Sequence, residues 1–209
     1  MNTSYPAIAV IFSGPSGVGK TTICQHLYAC SDKIHFSVSC TTRSPRAGER
    51  PGVHYRYLSP EEFNRRLQAN EFLEHAQIHR HHYGTLRDEV APYLDSGNDV
   101  ILDIDVQGAK QILANLAGQE LALRFITVFL LPPSFAMLEQ RLRGRNTENG
   151  AEIERRLEHA RREIEHWPEY DYVLINQEGE AEQTAQQLWT IMQAARCRSS
   201  IQGKEFWHE

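Results

Sequence analysis

The chain has 209 residues, 41% of them hydrophobic, enough to build one sizeable core with small subdomains inserted in it. Its net charge of −5 gives no global attraction to nucleic acid or to an anionic membrane, so any phosphate binding has to come from local clusters of Arg and Lys. The apolar run near the N-terminus has no charged segment ahead of it and is too short to span a bilayer; neither a signal peptide nor a membrane anchor is expected, and a soluble cytoplasmic protein is the default.

The first predicted element is a strand over 7–13. It runs into Gly14-Pro15-Ser16-Gly17-Val18-Gly19-Lys20-Thr21, which fits G-x-x-x-x-G-K-[ST] and opens a helix predicted over 20–29. Glycines let successive backbone N–H groups curl round a β-phosphate, Lys20 bridges the β- and γ-phosphates, and the Thr21 hydroxyl can hold Mg²⁺. The same spacing in isolation is no more than a tight turn; the strand–turn–helix context makes it a phosphate cradle.

From Phe36 to Ser96 the pattern becomes alternating and turn-rich, and an inserted α+β subdomain is expected there. Ser37-Val38-Ser39-Cys40 and Tyr55-Arg56-Tyr57 are short strand candidates. Ser59-Pro60-Glu61-Glu62 starts a helix, with Ser59 as cap, Pro60 in the first turn and Glu62 completing a capping box. Phe63, Leu67 and Phe72 are assigned to a core. Within this stretch Thr41-Thr42-Arg43-Ser44-Pro45-Arg46-Ala47-Gly48-Glu49 forms a second basic cluster. Two guanidinium groups three residues apart on a Pro/Gly loop can converge on one oxyanion, with Tyr55 and Tyr83 completing the shell. Such a loop alone is a solvated surface; beside a phosphate cradle it reads as a second phosphate site, because a kinase must hold both donor and acceptor.

The His79-Arg80-His81-His82 run lacks carboxylate or thiolate companions at useful spacing and is read as an exposed turn, not a metal site. Cys24, Cys30, Cys40 and Cys197 form no CxxC pair and are expected as reduced thiols, with a redox role at Cys40 the lesser reading.

Beyond the insert, strands are predicted over 100–103, 125–130 and 172–175, and helices over 107–116, 135–143, 151–165 and 181–195. Short apolar strands alternating with helices indicate an α/β fold with a parallel, doubly wound sheet and ligands at the carboxyl ends of its strands. Asp103 and Asp105 close one such strand. They suit the second shell of a metal ion and the acceptor pocket respectively, or else either one caps the helix that follows. Arg141-Leu142-Arg143-Gly144-Arg145 with Arg155 and Arg156 forms a third basic cluster, part of which is expected to be a solvated helix face.

The ordered set of these motifs resembles the guanylate kinases: residues 14–21, 36–49, Glu71-Phe72-Leu73-Glu74, Tyr83-Gly84-Thr85, residues 101–108, and Pro132-Pro133-Ser134 with the arginines after it. The resemblance covers nearly the whole chain. It implies a P-loop NTPase-type parallel sheet flanked by helices, with an inserted α+β GMP-binding subdomain and a helical lid. The core would span about 5–36, 97–140 and 168–196, the insert 37–96, the lid 141–167, and 197–209 would be a tail. The implied reaction moves the γ-phosphoryl group of ATP to GMP and dGMP, with Mg²⁺ as cofactor and no nucleic acid or membrane partner; monomer and homo-oligomer both remain open.

Carried over by position, the resemblance puts ATP against Gly14, Pro15, Ser16, Gly17, Val18, Gly19, Lys20, Thr21, Thr22 and Asn176. It puts the GMP phosphate against Arg43, Arg46, Tyr55 and Tyr83, and guanine against Ser39, Glu74 and Thr85, with Asp105 in the acceptor pocket. Lys20, Arg141, Arg145 and Arg156 would be catalytic; Thr21, and Asp103 through water, would serve the metal. Three departures stand out: Thr21-Thr22 for a familiar Ser-Thr pair, Asn146 where glycine is usual, and Gln177 where an acidic residue is common. Two rival readings use the same residues: a non-catalytic guanylate-kinase-like module binding a phosphopeptide, and a kinase for another nucleoside monophosphate.

Overall fold

The computed structural model describes residues 5–78, 80–144 and 150–202. Five strands make the central sheet: β1 (Ala9–Ser13), β2 (Ile34–Phe36), β7 (Asp99–Asp103), β8 (Phe125–Leu131) and β9 (Tyr172–Ile175). They run in the order β2-β7-β1-β8-β9, every pairing parallel. All five residues of β1 are buried because both faces of the sheet are covered.

Strand alternation sends neighbouring residues to opposite faces. Val10 and Phe12 join α1 (Lys20–Leu27) and α7 (Ala181–Arg196) in one apolar cluster through Ile23, Leu27, Leu188 and Met192. Ala9 and Ile11 join α3 (Ala91–Asp95) and α4 (Val106–Leu116) in another through Leu94, Ile112 and Leu116. Asp99 is fully buried at the start of β7, where it accepts from the Ile8 N–H at 3.0 Å and pairs with Arg196 at the end of α7. A separate helical pair, α5 (Phe135–Arg143) and α6 (Gly150–Ile164), closes its own core of Leu138, Leu142, Ile153, Leu157 and Ala160.

The second sheet runs β4-β3-β6-β5, from β3 (Cys40–Thr41), β4 (Arg56–Tyr57), β5 (Phe72–Ile78) and β6 (His81–Leu86). It packs on α2 (Pro60–Gln68) around Cys40, Phe63, Phe72 and Leu86, with Phe63 and Phe72 stacked at 4.5 Å. The register of β5 on β6 slips between Phe72 and Glu74, so Leu73 is an extra residue. The bulge lets Phe72 fill the core of the insert while Leu73 joins the apolar cluster of the main domain and Glu74 is re-aimed beside Thr85.

Four expectations change. Ser37 to Ser39 are not strand: only Cys40 pairs, because these residues form the crossing between the two sheets. Rather than lying in an exposed turn, His81 and His82 begin β6, where they pair with Ile78 and Gln77; His79 lies outside the described residues. Ser59 caps α2 by accepting from the Glu62 N–H, but the Glu62 carboxylate is taken by Arg65 and Arg66 instead of closing the box. By packing, α3 is part of the main core, since Val90 and Leu94 lie in its apolar cluster, although the insert was expected to run to residue 96. Replacing Phe63 by Ala removes the centre of the insert's small core and is expected to cost about 3–5 kcal/mol in urea unfolding followed by circular dichroism.

Candidate active site

The phosphate cradle lies at the carboxyl end of β1, between the two apolar faces. Gly17 and Gly19 hold φ angles of 87° and 108°, a left-handed region that favours glycine. A Cβ at Gly19 would stand 2.4 Å from the Asn176 amide nitrogen, so the loop passes where no other residue fits. Asn176 Nδ2 donates to the Val18 carbonyl at 2.7 Å, and Arg141 donates to that carbonyl at 3.1 Å and to the Asn176 carbonyl at 3.2 Å. Turning this carbonyl into the protein is what leaves the loop's N–H groups at the start of α1 to face an anion. Asn176 is only 5% exposed, beneath the loop, where it positions backbone. Lys20 Nζ donates to the Gly14 carbonyl at 2.7 Å and stands 3.6 Å from Asp103 at the end of β7. Thr21 and Thr22 are exposed on the first turn of α1.

Facing the cradle, the loop after β3 carries Arg43 and Arg46. Arg43 forks onto Glu49 at 3.0 and 2.9 Å, and that carboxylate also accepts the Arg46 backbone N–H and the Tyr57 hydroxyl, each at 2.7 Å. The Arg43 guanidinium lies 5.4 Å over the Tyr55 ring, which meets Tyr83 edge to face at 5.9 Å. Arg43, Tyr55 and Tyr83 come together here, whereas Arg46 joins through its backbone N–H and its side chain is exposed; the roles of Glu49 and Tyr57 were missed. The signal was present in the Glu that ends the Arg43 loop and in the Tyr55–Tyr57 alternation. The Arg43 bonds, first, then the Arg46 N–H and the Tyr57 hydroxyl, hold the Glu49 carboxyl down at about 2.

Glu74 is buried at 7% exposure and accepts from Thr85 Oγ1 at 2.8 Å; that oxygen lies 3.4 Å from Ser39 Oγ. A Cβ at Gly108 would stand 3.3 Å from Glu74 Oε2, so the glycine keeps this wall of the pocket open beside the start of α4. Burial, with Asp105 nearby, raises the Glu74 carboxyl above its ordinary value against the pull of Thr85. A buried carboxylate whose hydrogen bonds come from Thr85 alone has acceptor capacity left for a ligand that brings donors. Asp105 caps α4, accepting from the Gly108 N–H at 2.8 Å, which is the structural role the sequence left open for it. Between α1 and the insert lies a cleft of about 350 Å³ lined by Thr21, Cys24, Tyr28, Ser39, Tyr55 and Asp103.

The helical pair brings its arginines to the same loop. Arg156 donates to Ser16 Oγ at 2.6 Å, beside the Arg141 contacts. Arg143 pairs with Glu139 and Glu154, and Arg155 with Glu152, as expected of a solvated face. Arg145 and Asn146 lie outside the described residues. All four cysteines are free, and burial pushes the Cys24 and Cys40 thiols up to about 12, so neither is a thiolate near neutral pH. Among the described residues no group of three or more His, Cys, Asp or Glu side chains could hold a metal ion, and no helix is long and apolar enough to cross a membrane.

The sequence model of the family described as "Guanylate kinase" matches residues 7–195. The guanylate kinase of Rickettsia prowazekii is 40% identical over 95% of this chain and 97% of its own length. That of Clostridioides difficile is 44% identical over 82% of this chain and 80% of its own. The crystal structure of guanylate kinase from Anaplasma phagocytophilum superposes with a TM-score of 0.70 at 31% identity, covering 94% of this chain and 89% of that one.

The two carboxylates of the insert should titrate apart. Glu49, with a folded value of about 2 against an ordinary 4.5, favours folding above pH 4.5 and loses that contribution as pH falls towards 2. Carboxyl-carbon NMR should give Glu49 a midpoint near 2 and Glu74 one above the ordinary carboxylate value. A Glu49 midpoint at 4.5 would mean that Arg43 is not held in solution.

Proposed function

The chain belongs to the guanylate kinase family, and we infer that it transfers the γ-phosphoryl group of ATP to the phosphate of GMP, giving ADP and GDP. The observation that carries the acceptor's identity is Glu74: a carboxylate beside Thr85 whose burial, with Asp105 nearby, raises it above its ordinary value. Guanine presents N1–H and the 2-amino group side by side, so one carboxylate accepts from both. Adenine offers an acceptor at N1 and no 2-amino group, and would leave Glu74 buried and opposed. A site built around donors rejects an analogue lacking them by about 10⁴-fold.

The Arg43 and Arg46 loop, with Tyr55 and Tyr83, is assigned to the acceptor phosphate. Glu49 keeps Arg43 extended over Tyr55 before the ligand arrives, which lowers the ordering cost of binding. The cradle, Lys20 and Thr21 are assigned to the phosphates of ATP; Asn176 and Arg141 act on them through the Val18 carbonyl. A phosphopeptide-binding module would have no use for an intact Lys20 and Thr21 beside such a carbonyl anchor.

Hard oxygen donors suit Mg²⁺, and the Thr21 hydroxyl with the water-accessible Asp103 carboxylate provides them in the same cleft. When bound there, Mg²⁺ supplies charge neutralisation at the β- and γ-phosphates.

The remaining work is placement. Lys20 gives up the Gly14 carbonyl for phosphate oxygens, Arg156 brings positive charge from the helical pair, Arg145 is assigned the same task by its place in the sequence, and closure of the insert and of that pair excludes water. No general base is required, because the acceptor phosphate is already anionic. Cytoplasmic residence and use of dGMP belong to the same reading.

Two substitutions test it. Lys20→Met is expected to lower kcat about 100- to 1000-fold with an unchanged circular dichroism spectrum. Glu74→Gln is expected to lower kcat/KM for GMP about 100-fold and to narrow the preference for GMP over AMP. Near-normal turnover by the first would overturn the role of Lys20; an unchanged preference in the second would overturn guanine reading by Glu74.

A further inference from the structure

The chain crosses between the main core and the insert twice, each time over three residues. On the way out, Phe36 packs in the main core and Cys40 in the insert core, with Ser37, Val38 and Ser39 between them. On the way back, Leu86 belongs to the insert core and Val90 to the main core, with Arg87, Asp88 and Glu89 between them. Glu89 is 1% exposed and ties the two crossings together. Its Oε2 accepts from the Val38 N–H at 2.9 Å and sits 3.0 Å from His35 Nε2 on β2. Its Oε1 pairs with Arg56 on β4 of the insert. The His35 ring is also stacked face to face on Tyr93 of α3, at 3.4 Å and 4°.

A fully buried carboxylate is costly unless its charge is paired. Here the partners come from the core strand, the outgoing crossing and the insert. Outweighing burial, His35, the Val38 N–H and Arg56 leave Glu89 below its ordinary value, so it is ionised at neutral pH. The insert also meets the core along β5, where Asn115 of α4 donates to the Leu73 carbonyl and the His75 N–H donates to Gln111, but neither contact reaches the outgoing crossing that carries Ser39.

We propose that Glu89 is a positioning residue for the acceptor: it pins the outgoing crossing so that Ser39, one residue beyond Val38, stays beside Thr85 in the base pocket, and it fixes the angle at which the insert meets the core. The proposal rests on the guanine-reading assignment of that pocket. With the pin broken, only a fraction of molecules present a formed pocket, and the apparent affinity for GMP falls by that fraction. The cradle is not part of the pin, so ATP binding is left alone.

The test is steady-state kinetics of the full chain carrying Glu89→Gln, with KM for GMP and for ATP measured separately. Glutamine keeps the size but turns an amide donor towards Arg56 or His35. Arg56→Gln is made in parallel, at a side chain 38% exposed, to break the same pin from the insert without disturbing a core. Both variants are expected to raise KM for GMP about tenfold with kcat and KM for ATP within about twofold. Amide exchange at Val38 should quicken while β1 keeps its protection. An unchanged or lowered KM for GMP in either folded variant, or equal rises in both KM values, overturns the proposal; if Glu89→Gln does not fold, Arg56→Gln decides. Glu74→Gln run alongside separates the two claims: if it leaves the preference for GMP intact, the pocket assignment fails, whereas its loss beside an unaltered Glu89→Gln sinks the pin alone.

Discussion

The site depends on one carbonyl group. Val18 in the phosphate loop directs its oxygen inwards, where Asn176 and Arg141 both donate to it, and the glycines on either side take backbone angles that let the chain curl around that point. Everything the loop offers an anion follows, because backbone donors face a ligand only when their carbonyls are satisfied elsewhere. The two donors come from distant parts of the chain: Asn176 follows the last strand and Arg141 lies on α5. The cradle is therefore a product of the assembled sheet, which brings the ends of β1 and β9 to the same edge through β8.

The insert separates its carboxylates by environment. Glu49 lies near the surface, wrapped by donors and strongly favoured as an anion; Glu74 is enclosed, with Thr85 its only close hydrogen-bond donor among the described residues, and is disfavoured as one. The first holds an arginine in place, and the second keeps acceptor capacity inside the pocket, which is what the proposed guanine reading uses. Glu89, with three partners, belongs to neither class: it joins segments of the chain and faces no ligand. The three glutamates thus have three different physical tasks, set by which groups surround each and by how deeply each is buried.

Much of this was legible in the sequence. The helix over 135–143 and the strand over 172–175 appear with the expected bounds, because their apolar spacing and the Ser134 cap act locally. The glycine-rich turn and the Arg43 and Arg46 loop stood out by residue type and order, while Glu74 was singled out only through the family resemblance. What escaped was decided by contacts distant in sequence. The β5–β6 hairpin was missed, since His81 and His82 look like turn residues until Gln77 and Ile78 are seen across from them. Asn176, which the resemblance put against ATP, lies under the loop and bonds its backbone, and Glu89 drew no notice, because a lone Glu on a short turn carries no signal until His35, Val38 and Arg56 converge on it.

The most direct test of the account is ADP release from ATP and Mg²⁺ by the unmodified protein, measured in parallel with GMP, dGMP, AMP, UMP and no acceptor. The account predicts fast release with GMP, little with AMP or UMP, and almost none without an acceptor. Comparable turnover with AMP would leave the phosphate cradle standing and contradict guanine reading by Glu74. No turnover from folded protein that still binds GMP would contradict phosphoryl transfer itself.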